Sequence, residues 1–117
     1  MNRRKFEKRS VPLGPVRDFC EKIANVVNEA YGLDHNLVFS RFRHQPIAEA
    51  RQVAMYILRE QTNLTLIQIA NFFNRRDHGT VVHACKQVRA QRETSRLFEE
   101  NFKKVLSELA KGSCERN

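Results

Sequence analysis

Apolar residues recur along this 117-residue chain at intervals of three and four, and hardly anywhere at every second position. Val16, Phe19, Cys20, Ile23, Val27 and Ala30 make one such stripe, which predicts a helix over residues 15–31 with Gly32 as its stop. A short helix over 34–40, capped by Asp34, would bury Leu37 and Val38. Pro46 suits the first turn of a longer helix reaching about residue 61. Ile47, Ala50, Val53, Ala54, Ile57 and Leu58 form its buried face, while Arg51, Met55 and Arg59 repeat every fourth residue on the opposite side. Thr65 and Gln68 stand at capping-box spacing ahead of Leu66, Ile69, Ala70 and Phe73. Asn74-Arg75-Arg76 then forms a tight turn, where Asn74 best tolerates a left-handed backbone. Val81, Ala84, Cys85 and Val88 predict a helix over 77–90. Phe98, Phe102, Val105, Leu106 and Leu109 predict a last one over 95–111. The pattern is an all-α fold of about six helices.

Composition narrows this reading. Hydrophobic residues are 41% and charged residues 29%, a balance that folds, and four Gly with three Pro punctuate a helical chain rather than a many-stranded one. Residues 1–14 read as a flexible basic arm, 15–111 as one folded domain and 112–117 as a tail. Met1 followed by this arm reads as the start of a short reading frame. Cys20, Cys85 and Cys114 are odd in number and lack C-x-x-C spacing, which argues against a disulfide framework or a zinc site and for a reducing cytoplasm. No apolar run has membrane-spanning length and no cleavable leader is present. The net charge of +8 is concentrated in the first ten residues and in the middle of the chain. That distribution points to a polyanionic partner.

The densest chemistry lies in Arg75-Arg76-Asp77-His78-Gly79-Thr80-Val81-Val82-His83-Ala84. A short amphipathic helix, a turn and a second helix with polar side chains in its first turn make a helix-turn-helix suited to the major groove of DNA. Asp77 can accept from a cytosine amino group, His78 can bond or pack on a base, and Thr80 can reach a base or a phosphate. Orphan N–H groups at the start of this helix could hold a phosphate. Lys86, Arg89 and Arg92 continue its basic character. His78 and His83, five residues apart, do not share a face as metal ligands would. No catalytic constellation is present, so neither an enzyme, a cofactor, a metal nor a small-molecule substrate is expected.

The run Arg76-Asp77-His78-x-Thr80-Val81-x-His83-Ala84 closely resembles the signature of the carboxy-terminal DNA-binding domain of DnaA, the bacterial replication initiator. Ala50-Arg51-Gln52-Val53-Ala54-Met55 resembles the start of that domain's long helix, and the resemblance extends over residues 16–109. It implies an all-α, Trp-repressor-like fold that binds an AT-rich duplex site, the DnaA box. It also implies Arg43 in the minor groove, and Asp77, His78 and the position of Gly79 at base edges. Arg51, Gln52, Arg59, Leu66, Ile67, Arg76, Thr80 and His83 are implied along the phosphate backbone. Three departures stand out. Gly79 replaces a threonine whose methyl meets a thymine, and inside a helix it would cost roughly 1 kcal/mol relative to alanine. Asn74-Arg75 replaces a pair of glycines. The basic loop carries Phe42, His44 and Gln45 among its arginines, with Glu49 after it.

The chain contains no G-x-x-x-x-G-K-[ST] phosphate loop. The expected function is therefore duplex binding at DnaA-box-like sites in the cytoplasm, associated with the nucleoid and without ATP hydrolysis. Such a protein would regulate replication initiation or transcription, competing with or touching the full-length initiator. A protein-interaction module acting on an initiator, or the targeting domain of a mobile-element protein, are the alternatives.

Overall fold

Two helices in this chain end on the same device, and it shapes the fold around them. The computed structural model describes residues 12–34 and 37–116, the side chains of 112–116 aside, so residues 1–11 of the basic arm lie outside it. Helix α1 (Gly14–Ala30) stops where Gly32 takes φ 65°. The Gly32 N–H donates to the Glu29 carbonyl at 3.1 Å and the Leu33 N–H to the Asn28 carbonyl at 2.9 Å, a Schellman cap. Cys20, Ile23 and Val27 are fully buried, but Val16 and Ala30 are exposed because the helix overhangs the core at both ends.

A single 3-10 turn (Leu37–Phe39) stands where a short helix over 34–40 was expected; His35 and Asn36 lie outside the described residues. Val38 is buried there, as predicted, while Leu37 is only half-buried. Helix α2 (Ile47–Gln61) runs through the middle of the molecule, with α1, the 3-10 turn, and helices α3 (Leu66–Phe72) and α4 (Gly79–Thr94) packed around it. It has no solvent face over most of its length. Arg51 and Met55 are buried with the apolar residues, and only Arg59 of the predicted opposite side is exposed. That expectation is corrected because four elements, not one, cover the helix.

The predicted capping box opens α3. Thr65 Oγ1 accepts from the Gln68 N–H at 3.1 Å, and Gln68 Oε1 accepts from the Thr65 N–H at 2.9 Å. The helix ends as α1 does, with Asn74 at φ 61° in glycine's place. The Asn74 N–H donates to Asn71 at 3.0 Å and the Arg75 N–H to Ala70 at 2.7 Å. The left-handed residue sends the chain sharply back toward α4, completing the helix-turn-helix.

Helix α5 (Arg96–Arg116) continues past residue 111, where the apolar stripe had suggested an end. Ser95 Oγ accepts the Phe98 N–H at 3.1 Å to start it, and Phe98, Phe102, Val105 and Leu109 pack it across α1 and α4. The described residues thus form five α-helices and one 3-10 turn, an all-α fold. Arg92 does not extend a basic face. Its guanidinium bonds both Glu99 carboxylate oxygens, at 2.7 and 3.0 Å, and the Tyr56 hydroxyl at 3.2 Å, and lies 4.4 Å from the Phe102 ring centre. It ties α4 to α5 instead. No helix among the described residues is long and apolar enough to cross a membrane.

Candidate nucleic-acid interface

Between the 3-10 turn and α2 the chain runs as an irregular loop, Arg41-Phe42-Arg43-His44-Gln45, with every side chain exposed. A loop without regular hydrogen bonds needs another source of order. Arg51 supplies it from α2. Its Nε donates to the Val38 carbonyl at 2.8 Å, and its Nη2 donates to the carbonyls of Ser40 and Phe42, each at 2.8 Å. Arg75, from the helix-turn-helix turn, donates through Nη2 to the same Ser40 carbonyl at 3.0 Å. One carbonyl therefore joins the loop, the long helix and the turn.

This packing concentrates like charge. Burial pushes the Arg51 guanidinium down to about 10, and Arg75 beside it acts the same way. Arg75 is also held below its usual value, by burial and then by the nearby charges of Arg41 and Arg43. Among the described residues no carboxylate forms an ion pair with these arginines. An anion arriving here is met by cations that already repel one another, so its binding relieves existing repulsion.

The loop, the turn and the start of α4 enclose a groove of about 730 Å³. Seven of the residues singled out from the sequence line it: Arg43, Arg51, Gln52, Arg76, Gly79, Thr80 and His83. They come from the loop, α2, the turn and α4, and the fold brings them to one wall-to-wall surface. Arg43, Arg76 and His83 are exposed there, whereas Arg51 is 6% exposed and holds loop carbonyls. Arg51 is thus less open than its helical spacing suggested: its Nε and Nη2 are directed at loop carbonyls, while the side chain still lines the groove. Asp77 and His78 are exposed just ahead of α4, outside the lining of the groove. Arg59, Leu66 and Ile67 also lie outside it. Arg59 is exposed, with Nη1 3.5 Å from the Leu64 carbonyl, close to where Leu66 and Ile67 begin α3 half-buried.

The first turn of α4 differs from expectation in two ways. The helix starts at Gly79, not Asp77, so the glycine is its first residue rather than an interior one. The N–H groups there are also occupied. Gly79 donates to Asp77 Oδ1 at 2.8 Å, Thr80 to the Asp77 carbonyl and Val81 to the His78 carbonyl, each at 3.0 Å. Three N–H groups of the expected phosphate cradle are thus taken up by the turn itself. Sequence reasoning missed Arg41 and Arg75 as parts of this surface. The signal for Arg75 was present in its replacement of a glycine, which has no side chain to cross the groove.

Comparison with known proteins agrees with this geometry. A family model described as the bacterial DnaA protein helix-turn-helix matches residues 20–88, more than half of the chain. A chromosomal replication initiator protein DnaA from Thermodesulfovibrio yellowstonii is 44% identical over 89 residues, covering 73% of this chain and 20% of that protein. Its namesake from a Synechococcus species is 34% identical over 98 residues, 84% of this chain and 21% of the relative. That from Bacteroides fragilis is 33% identical over 91 residues. The chain spans about a fifth of the length of these relatives.

Proposed function

This chain belongs to the bacterial DnaA helix-turn-helix family, and from that membership we propose that it binds double-stranded DNA sequence-specifically, at DnaA-box-like sites. The observation that carries this reading is the convergence of residues from four separate segments in one basic groove beside the turn. The start of α4 enters the major groove, with Asp77, His78 and the open position at Gly79 toward base edges. Arg43, on the anchored loop, enters the adjacent minor groove. Gln52, Arg59, Arg76, Thr80, His83 and the start of α3 at Leu66 and Ile67 follow the phosphates and set the register. Arg51, which lines the groove while holding the loop, joins this phosphate-facing set. No nucleotide hydrolysis enters this scheme. Occupancy of such sites in the cytoplasmic nucleoid regulates replication initiation or transcription, in competition with a full-length initiator.

Fluorescence anisotropy tests the proposal. Affinity for a DnaA-box duplex is expected to exceed that for a scrambled duplex clearly, with or without ATP. A log–log salt slope of roughly −5 is expected for about six neutralised phosphates. His78→Ala should cost roughly 1–3 kcal/mol and relax preference at one or two bases. Arg59→Ala should weaken all sequences alike and flatten the slope by about one. Equal, weak binding to both duplexes would sink the specific-reader proposal.

A further inference from the structure

Phe42 is the one apolar side chain of the basic loop, and it is 52% exposed. Single exposed hydrophobic residues are ordinary on protein surfaces. Phe42 differs in the backbone beneath it. Its carbonyl is held by Arg51, its N–H donates to Ser40 Oγ at 3.3 Å, and the Ser40 carbonyl is bonded by both Arg51 and Arg75. The loop is thus fixed from two sides with the ring outward, so presenting it requires no ordering on binding.

The surroundings restrict what such a ring could meet. Arg41 and Arg43 flank it in sequence and both line the groove. The His44 ring stands 5.6 Å away, tilted by 41°, and buttresses one side. A rigid apolar wedge between two cations matches a partner with anions on its outside and an apolar stack within. Duplex DNA has both features, whereas an acidic protein surface offers carboxylates without the stack. Side chains of this kind enter the minor groove between base steps, unstack them partly and bend the duplex.

We propose that Phe42 is such a wedge, inserting at a base step beside the site of Arg43 and kinking the bound duplex. This rests on the duplex-binding reading above and adds a contact that reading does not require.

The test uses the full chain and DnaA-box duplexes carrying a single 2-aminopurine at successive positions. Its emission rises when the base is unstacked. Emission should rise at one step near the end of the site that faces the loop, and not elsewhere. Phe42→Leu, which keeps an apolar wedge, should retain the rise. Phe42→Ser should abolish it and weaken binding roughly ten-fold, leaving the salt slope unchanged. Selective binding of the box with every probe still quenched would overturn the wedge and leave the duplex-binding reading intact. Phe42→Ser with unaltered emission and affinity would overturn it equally. Failure to prefer the box over a scrambled duplex would instead overturn the underlying reading, and the wedge with it.

Discussion

A side chain at position 79 would begin with a Cβ 3.2 Å from Asp77 Oδ1 and 3.4 Å from Oδ2. The atoms it crowds are the end of a flexible carboxylate, which can turn aside at little cost. Gly79→Thr should therefore change stability by less than about 1 kcal/mol in a denaturant titration. It should nonetheless move the Asp77 carboxylate off the Gly79 N–H, where it now sits at 2.8 Å. Base preference would then alter at two positions together, the one facing residue 79 and the one facing Asp77, in a selection from random duplexes. A change confined to one position would show that Asp77 does not respond. Asn74 is a residue-scale feature of another kind. At φ 61° it pays a conformational penalty that glycine would not, so Asn74→Ala should destabilise by about 1 kcal/mol and Asn74→Gly should be near neutral by urea unfolding. The left-handed turn was legible in the sequence, since few residues other than Asn take that conformation. The occupied N–H groups of α4 were not, because the helix start shifted by two residues and changed which atoms were orphaned.

Between elements, the governing feature is the Ser40 carbonyl shared by Arg51 and Arg75. It makes the basic loop and the helix-turn-helix one body rather than two contacts on separate supports. Arg75→Ala removes one strut, so the loop should keep its Arg51 anchors but lose its fixed relation to the turn. Duplex affinity should then fall several-fold. The loss from Arg43→Ala should be smaller in the Arg75→Ala background than in the native chain, a coupling of roughly 0.5–1 kcal/mol in a double-mutant cycle. Strict additivity would mean that the loop is positioned without Arg75. These ties explain which parts of the site could be read from sequence. Apolar stripes and the turn motif are local patterns, and they located all five helices and most of the groove. The loop-holding role of Arg51 was not legible because its partners are carbonyls 9 to 13 residues away, in a loop whose path no periodicity encodes. Arg75 reaches across 35 residues, further still from any local signal.

At the scale of the whole molecule, the arginine cluster sets stability against binding. Arg51 and Arg75 are held where burial and neighbouring charge both disfavour their cationic forms, with the exposed Arg41 and Arg43 adding to the repulsion. The folded chain accordingly tolerates an electrostatic cost that a bound polyanion lowers, which couples duplex binding to thermal stability. A box duplex at about a hundred times Kd should add roughly 2.7 kcal/mol, enough to raise Tm by on the order of 10 °C. Sulfate should also raise Tm, in part by its general exclusion from protein surfaces. The two contributions separate on removing the exposed cations: with Arg41→Ala and Arg43→Ala combined, the starting Tm should hold or rise slightly as repulsion falls. The increment from sulfate should shrink toward that of an excluded osmolyte, and the duplex increment should shrink further. If the double variant melts lower and responds to sulfate undiminished, the cluster is not the anion site, and the positive charge of the groove is only a solvated surface.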